Sequence, residues 1–508
     1  MLINLKSNNA ENSMRPHGAR KILPLLQAGL IGLCLVSLAG AAVESPALET
    51  VVTVVALNEQ GEPLDTALGV IIRQDGLILT SAAIFQPGQP LLVKTDHGAI
   101  YWCQSLLYAD LLQDLAVLKI EATGLKAVPL QASKRSHVVE EKIYYPIKEG
   151  NKYTLREGNL VGSLPLSPRL ELLKLSPCNQ RGIQGTPVFN RTGEVVGMMH
   201  LGGDQNEGPQ GKPTALNYFL SCDRTLVPIS LDAASLKGTK PAAEPRGDLS
   251  GENPANALVR AFWDGVAATI GNNWELAQKK FSLAMAPPAQ LPEAYYGRGV
   301  SRFHLRNYQG ATEDLLEATR RLPGYALAFF WLGKTWQQSG DQEAADAAYR
   351  QAVGLAPDLH EAWFYLGEIA YQRGDQDKAQ KCLEKAEGDL PQAAMRAWYL
   401  GNIARSQQRL PEALAAFKQA VQMDPKYFPG YLEGGKLLLL DLGESREAVG
   451  WLGQAVSLKP QHAEARYFLS LAYHLSWNAA AAWEQCYALE KIQPDLAGQL
   501  ATVLARGQ

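Results

Sequence analysis

Residues 69–85 read GVIIRQDGLILTSAAIF, two apolar runs on either side of an Asp75-Gly76 pair. Both runs are rich in isoleucine, leucine and valine, which suit a pleated and half-buried strand. An Asp-Gly pair between two such runs is typical of a tight β-hairpin, because both residues accept the positive φ of the turn. The segment therefore predicts a hairpin.

Working outward, three segments resemble the trypsin-like serine proteases of the HtrA/Deg family. Residues 69–85 are similar to the family pattern GVIIxxDGxIxTNxHVV, with Thr80 as the shared anchor. DLAVLKI at 114–120 resembles the family's segment of that sequence, and RGIQGTPVFNRTGEVVGM at 181–198 is similar to RGNSGGPLxNxxGEVVGI. The resemblance covers roughly residues 50–230, in the family's chain order. It implies an all-β, trypsin-like double β-barrel domain at 48–230.

The resemblance places Ala83 on the family's general-base histidine, Asp114 on the triad carboxylate and Gln184 on the nucleophilic serine. Acyl transfer by this fold needs a hydroxyl nucleophile and an imidazole that moves its proton. A glutamine amide does not attack a carbonyl at neutral pH, and alanine cannot carry a proton. We therefore expect no catalytic residues, and at most an oxyanion-like turn at Gly182 and Gln184.

An alternative function stays open at this level. His97 and His200 lie in the same domain, and Ser81 and Thr186 flank the degenerate positions. These side chains would have to converge at hydrogen-bond distance to replace the triad. The competing hypothesis is thus a serine-protease-like hydrolase with an unorthodox site, or one that a partner completes.

The second half of the chain carries a repeat of 34 residues. Glycine recurs at this step at Gly265, Gly299, Gly333, Gly367, Gly401 and Gly435. Alanine keeps the same step at Ala277, Ala311, Ala345, Ala379 and Ala413, and an aromatic residue or leucine stands four residues after each. This period resembles the tetratricopeptide repeat (TPR), in which small residues let two helices approach closely.

The period predicts an all-α TPR superhelical solenoid at 255–508, with seven repeats and a C-terminal capping helix. Each unit exposes an apolar face that only the next unit can cover, so the units stack. The repeats are expected to start near Leu258, Pro292, Ala326, His360, Ala394, Phe428 and Ala463. An extra residue falls near 443–446, Ser470 replaces the glycine of the seventh repeat, and 495–506 is the predicted cap.

The fifth position of successive repeats is nearly always aromatic. In the TPR family this position tends to face the concave groove, which suits an extended or helical peptide. The resemblance therefore predicts a peptide-binding groove, and the alternative is that the aromatic rings fill the interhelical core. The groove residues would be Phe262, Tyr296, Phe330, Phe364, Trp398 and Tyr467. Other groove-prone positions carry mixed charge at Glu368, Lys334, Lys436, Arg405 and Asn402.

The amino terminus predicts export. Arg15, Arg20 and Lys21 precede an apolar run at 22–43 that contains small residues around Ala41. This order is typical of a signal peptide with a cleavage site near Ala41. The run is also long enough to remain as a membrane anchor. Either a signal peptide or an anchor at 1–43 fits a periplasmic or cell-envelope protein.

The remaining composition limits the function further. Residues 231–254 are rich in proline, glycine and alanine and predict a linker. A net charge of −3 with 19% charged residues argues against a nucleic-acid partner, and the six cysteines and eight histidines show no metal-ligand spacing. We expect neither metal nor cofactor, and other proteins or peptides as partners. A Cys178–Cys222 disulfide and isolated buried thiols remain alternatives.

Overall fold

A computed structural model describes most of the two predicted domains. The described residues are 46–58, 60–85, 89–110, 112–130, 141–149, 152–168, 170–176, 185–199, 218–221, 254–287, 290–388 and 390–506. The predicted export segment at 1–43, most of the linker, and Cys178 and Cys222 lie outside them. The domain limits and the disulfide alternative therefore stay predictions.

The first domain consists of two closed antiparallel barrels, as the resemblance implied. The first barrel has the strand order β1-β2-β3-β6-β5-β4 and the second the order β10-β11-β12-β9-β8-β7. The first six strands are β1 (Val51–Leu57), β2 (Pro63–Arg73), β3 (Leu77–Thr80), β4 (Leu91–Thr95), β5 (Ile100–Asp110) and β6 (Leu115–Ile120). The second six are β7 (Lys142–Glu149), β8 (Lys152–Ser167), β9 (Leu170–Ser176), β10 (Pro187–Phe189), β11 (Val195–Met199) and β12 (Tyr218–Ser221).

The opening hairpin forms where the sequence predicted it. β2 pairs antiparallel with β3, and Gly69 lies opposite Thr80. Gly76 in the turn has φ +94°, and a Cβ on it would lie 2.5 Å from the carbonyl oxygen of Ile120. Only glycine fits there, because the conformation and the close approach to β6 both exclude a side chain.

Apolar side chains from both barrels share one core. Val51, Leu68 and Val117 of the first barrel pack in one cluster with Phe189 and Met198 of the second. Because the two barrels meet through this cluster, the loops at their junction lie close to one another. Ser81 and Gly185 approach each other at this junction, where a Cβ on Gly185 would lie 3.0 Å from Ser81 N.

The second domain is helical throughout the residues described. A short helix, α1 (Pro46–Glu49), precedes the barrels, and the repeat helices follow. They are α2 (Pro254–Ile270), α3 (Trp274–Ala284), α4 (Pro292–His304), α5 (Tyr308–Arg321), α6 (Ala326–Ser339), α7 (Gln342–Leu355), α8 (His360–Gln372), α9 (Gln376–Lys385), α10 (Ala393–Ser406), α11 (Leu410–Met423), α12 (Phe428–Lys436), α13 (Ser445–Leu458), α14 (Ala463–Leu475), α15 (Ala479–Glu490) and α16 (Pro494–Arg506). Each predicted repeat start from the second to the seventh lies within one residue of a helix start.

The periodic glycines allow the two helices of each repeat to touch. A Cβ on Gly333 would lie 2.7 Å from the ring of Tyr349, which is fully buried. The same relation joins each repeat glycine to the large residue 16 positions later, or 17 positions later in the sixth repeat with its extra residue. The pairs are Gly265 with Phe281, Gly299 with Leu315, Gly367 with Leu383, Gly401 with Phe417 and Gly435 with Leu452. The 34-residue pattern is therefore a packing pattern between paired helices.

Two irregular repeats are accommodated in ways that the sequence did not specify. The extra residue of the sixth repeat is taken up by a π-helical turn at Leu437–Asp441, where Leu442 N donates to Leu437 O at 3.1 Å. In the seventh repeat, the buried Ser470 hydroxyl donates to the carbonyl of Ala482 at 2.8 Å. The helix pair thus keeps its approach, because the hydroxyl finds an acceptor on the partner helix.

The first helical pairs pack against the second barrel. Leu170 and Leu172 of β9 share a cluster with Phe262 and Trp263 of α2. The hydroxyl of Tyr325 donates to the carbonyl of Leu166. No helix in the described ranges combines the length and the apolar character of a transmembrane segment.

Candidate functional site

The degenerate triad positions of the first barrel form a closed polar cluster. Ser81 is the N-cap of a 3-10 turn at Ala82–Ile84, which carries Ala83, and Asp114 immediately precedes β6. The Asp114 Oδ1 atom accepts the Ser81 hydroxyl at 2.6 Å and the Ala83 N–H at 2.8 Å. The Ala83 N–H also points to Ser81 Oγ at 3.2 Å. A hydroxyl and a backbone amide therefore both donate to one oxygen of the carboxylate that the resemblance assigns to the triad.

Burial and backbone geometry fix this cluster. Asp114 is 4% exposed and Ser81 is fully buried. Asp114 adopts φ +50°, a left-handed conformation that aspartate tolerates better than most residues. A buried carboxylate needs several donors to offset its lost hydration. Ser81 and the Ala83 amide supply two of them, so Asp114 acts here as a structural acceptor.

The described part of the cluster contains a hydroxyl and a carboxylate but no imidazole. Ser81 has a hydroxyl beside a carboxylate, but it is 0% exposed and has no imidazole between the two groups. His97 lies elsewhere, in the exposed turn after β4, with its Nε2 atom 4.0 Å from the Glu49 carboxylate. His200 lies outside the described residues. Among the described residues, then, the cluster lacks both an accessible nucleophile and a base.

The loop of the second barrel reaches the same place. Gly185, the neighbour of Gln184, has φ +72°. A Cβ on Gly185 would lie 2.5 Å from Leu68 O and 3.0 Å from Ser81 N. Thr186 is fully buried. Gly182 and Gln184 lie outside the described residues, so the predicted oxyanion-like turn stays a prediction, but the chain enters the described region against Ser81.

The helical array supplies the second candidate site, and the burial of its fifth-position rings bears on the predicted groove. Phe262, Phe330 and Phe364 are 1%, 3% and 1% exposed, so a peptide in the groove could not reach them. Each ring packs edgewise or tilted on other rings, for example Phe330 on Tyr349 with centroids 6.0 Å apart. Their burial favours the alternative that these rings fill the interhelical core, and the groove assignment of these three residues stays a prediction.

The other three fifth-position residues are half-buried. Tyr296 packs on Tyr325 with ring centroids 4.8 Å apart, and burial raises the pKa of its phenol. Trp398 packs on Tyr399 at 4.9 Å, and Tyr467 on Phe468 at 5.4 Å. These rings support the interhelical core more than they form an open aromatic ladder.

A different set of rings surrounds Lys334. Its Nζ atom lies 4.3 Å from the ring centroid of Trp331, 5.6 Å from those of Phe303 and Phe330, and 5.9 Å from that of Tyr365. We call these four rings with Lys334 the lysine box. Burial lowers the pKa of Lys334, and the charge of Glu361 partly opposes this effect. Sequence reasoning placed Lys334 near the groove but missed the rings, which occupy the sixth and twelfth repeat positions as well as the fifth.

The other groove-prone residues that the sequence indicated, Glu368, Arg405, Asn402 and Lys436, have polar partners. Glu368 accepts Gln337 Nε2 at 2.9 Å and the Tyr399 hydroxyl at 3.0 Å. Arg405 lies 2.6 Å from Asp441 and 3.3 Å from Glu433. Asn402 donates to the Trp398 carbonyl at 3.0 Å, and Lys436 Nζ lies 2.9 Å from both Glu433 and Glu464. These partners already use the charges that the sequence analysis singled out.

Family models match both halves of the chain. A model of the trypsin-like peptidase domain matches residues 67–198. A tetratricopeptide repeat model matches residues 296–359, 332–379 and 371–428. The first match includes Ala83 and Asp114, and the second includes every residue of the lysine box.

Similar proteins carry the first of these domains. The serine endoprotease DegS of Haemophilus influenzae is 30% identical over 179 residues, which are 33% of this chain and 49% of the relative. A protein of Hahella chejuensis named as a DegP-like periplasmic serine endoprotease is 30% identical over 141 residues, 27% of this chain and 30% of that one. The chain thus spans about half the length, or less, of these curated relatives.

Among solved structures, one similar fold is the C-terminal part of a TPR repeat-containing protein of Cytophaga hutchinsonii. It is 17% identical, covers 46% of this chain and 95% of its own, and has a TM-score of 0.39. Together with the two barrels and the paired helices, the family matches identify the architecture. The chain carries a trypsin-like peptidase domain, similar to that of HtrA/Deg proteases, followed by tetratricopeptide repeats.

Proposed function

We propose that this chain is a noncatalytic adaptor, in which a proteolytically inactive trypsin-like domain is joined to a TPR array that binds another protein or a peptide. The single observation behind it is the Asp114 carboxylate, whose Oδ1 atom is hydrogen-bonded to Ser81 and to the amide of Ala83. A working triad uses this carboxylate to hold an imidazole. With a methyl group at position 83, the chain has no imidazole at the position where the resemblance expects the proton carrier.

The repeat array supports the binding half of the proposal. TPR solenoids present a continuous concave surface, and such surfaces bind peptides and protein segments. The glycine-mediated helix contacts keep that surface rigid, because each repeat packs closely on its own second helix. A rigid surface loses little conformational entropy on binding.

Export is part of the proposal. The basic residues before the apolar run at 22–43 favour a secreted or membrane-tethered chain, and the relative of Hahella chejuensis is named as periplasmic. Cell fractionation followed by amino-terminal sequencing of the mature chain tests this step. A mature chain that starts near residue 42 indicates a cleaved signal, and an intact apolar run in the membrane fraction indicates an anchor. Recovery of the intact chain from the cytoplasm would contradict export.

A proteolysis assay tests the loss of catalysis. Purified protein is incubated with unfolded casein and with a fluorophosphonate probe that labels active-site serines. We expect neither cleavage nor labelling. Robust cleavage that the Asp114→Asn substitution abolishes would establish the competing function, a hydrolase with an unorthodox site. Repeating the assay with the captured partner present tests whether a partner completes the site.

A restoration experiment asks whether only the two side chains are missing. The double substitution Ala83→His and Gln184→Ser returns the imidazole and the hydroxyl. The hydrogen bond from the Ser81 hydroxyl to Asp114 would compete with the new imidazole. A third substitution, Ser81→Ala, is therefore added in parallel. Weak cleavage in the triple variant, and none in the unsubstituted chain, would show that the missing side chains account for the inactivity.

A further inference from the structure

The lysine box contains an ammonium group without a polar partner among the described residues. Lys334 Nζ has no carboxylate within 4.0 Å and no hydrogen-bond acceptor among the described residues, although the segment 290–388 around it is described without a gap. Its neighbours are ring faces, which attract a cation. Unlike a carboxylate, these rings do not accept strong hydrogen bonds from its N–H groups. A half-buried ammonium thus keeps unused donors.

Lys436 occupies the same repeat position and provides the contrast. It lies 102 residues after Lys334, three repeats along, on the corresponding face of α12. Its Nζ atom also lies over a ring, that of Phe468, with 5.4 Å to the centroid. It differs in being 2.9 Å from Glu433 and 2.9 Å from Glu464. The fold has therefore neutralised the charge at one of the two equivalent positions and left it unpaired at the other.

We propose that the lysine box binds an aspartate or glutamate side chain of a peptide that runs along the groove, with an apolar side chain next to that acid resting on Trp331 and Phe303. This inference rests on the proposed peptide-binding function and names the chemistry of its ligand. The carboxylate would accept the unused N–H groups of Lys334. The bond gains from the surrounding rings, because they limit the water that competes for both charges.

The position of Lys334 favours a side chain over a chain terminus. Lys334 lies on the first helix of the third of seven repeats, so helices continue on both sides of it. A peptide that passes through the middle of such a surface presents its side chains there. A terminal carboxylate generally needs several converging donors, and the box offers the one ammonium.

Peptide display on the intact chain tests the proposal. A random peptide library is selected against the immobilised full chain and against the Lys334→Met and Lys436→Met variants. Methionine keeps the length of the side chain and removes the charge. On the unsubstituted chain, we expect enrichment of peptides that carry an acid next to an apolar residue. The control variant Lys436→Met should keep this enrichment, and Lys334→Met should lose it. Melting curves followed by circular dichroism confirm that both variants fold.

A binding cycle then measures the contact. The most enriched peptide is synthesised with acetylated and amidated ends, together with a twin in which glutamine or asparagine replaces the acid. We expect the acidic form to bind the unsubstituted chain on the order of tenfold more tightly than its twin, the effect of one hydrogen bond to a charged group. On Lys334→Met the ratio should fall to about one, and on Lys436→Met it should persist.

The outcomes separate the two proposals. Selected peptides without acidic enrichment, or an acid preference that survives Lys334→Met, would overturn the lysine box and leave peptide binding intact. If the preference requires a free peptide carboxyl terminus and the amidated form loses it, the proposed side-chain ligand is wrong. If no peptide is enriched on any of the three chains, peptide binding itself fails, and the lysine box with it.

Discussion

The polar cluster around Asp114 and the lysine box differ in how their charged groups are paired. Asp114 in the barrel receives hydrogen bonds from Ser81 and the Ala83 amide, so its charge is met inside the fold. Lys334 in the helical array is surrounded by rings and pairs with no described carboxylate. A charge that the fold satisfies contributes to stability, whereas a charge left unsatisfied is available to a ligand. The comparison is the structural basis of both proposals, a noncatalytic barrel domain and a ligand contact in the helical array.

The largest expected effect tests whether the aromatic residues of the array are core or groove. Phe330→Ala removes a ring that is 3% exposed, and we expect it to destabilise the repeats around it by about 3–5 kcal/mol. Hydrogen exchange in α6 to α8 measures this loss locally, because repeat arrays do not always unfold as one unit. A stable Phe330→Ala variant that had lost only ligand binding would support the assignment of Phe330 to the groove.

The next effect concerns the closed cluster in the barrel. Asp114→Ala leaves the Ser81 hydroxyl and the Ala83 amide without this acceptor and puts alanine at φ +50°, so we expect a loss of about 3 kcal/mol in barrel stability. Asp114→Asn is the matched control, since its amide oxygen can still accept both donors and asparagine tolerates the backbone. Urea titration of the two variants gives the comparison. Equal stability of the alanine variant and the unsubstituted chain would mean that the cluster is not structural.

A smaller effect distinguishes the glycines that separate paired helices from those that do not. Gly333→Ala pushes a methyl group to 2.7 Å from Tyr349, and we expect it to cost about 1–3 kcal/mol through overpacking. Gly450→Ala in α13 is the control, because nothing lies within 4 Å of its Cβ position. There alanine should stabilise the helix by about 0.5–1 kcal/mol. Thermal melts should therefore move in opposite directions, and parallel shifts would contradict the packing explanation.

The smallest effect lies at the opening hairpin and depends on pH. Hydrogen bonding to Arg73, followed by Lys119, holds the pKa of Asp75 at about 2. A lowered folded-state pKa stabilises the fold above the ordinary pKa near 3.8, and this is lost as the pH falls toward 2. Asp75 is 44% exposed, so Asp75→Asn should cost only about 0.5 kcal/mol at pH 7. Urea melts should show the difference shrinking below pH 4, whereas a constant difference would assign it to the turn backbone.

The sequence patterns whose predicted structure was observed are those with a local geometric cause. Asp75-Gly76 predicted a hairpin because few residues adopt that turn, and the repeat glycines predicted helix pairs because only small residues allow the approach. The double barrel followed from the resemblance and is confirmed. These features depend on steric limits that hold wherever the residues occur.

The sequence alone determined the two-domain architecture and the absence of an imidazole and a hydroxyl at positions 83 and 184, because residue identity settles which atoms exist. It could not decide which way Phe330 turns or which of Lys334 and Lys436 finds a carboxylate, since both depend on residues brought together from different repeats. Tertiary structure also decided that the Ser81 hydroxyl would donate to the Asp114 carboxylate. Such contacts depend on the distance in space between residues that are far apart in the chain, and that distance follows only from the fold.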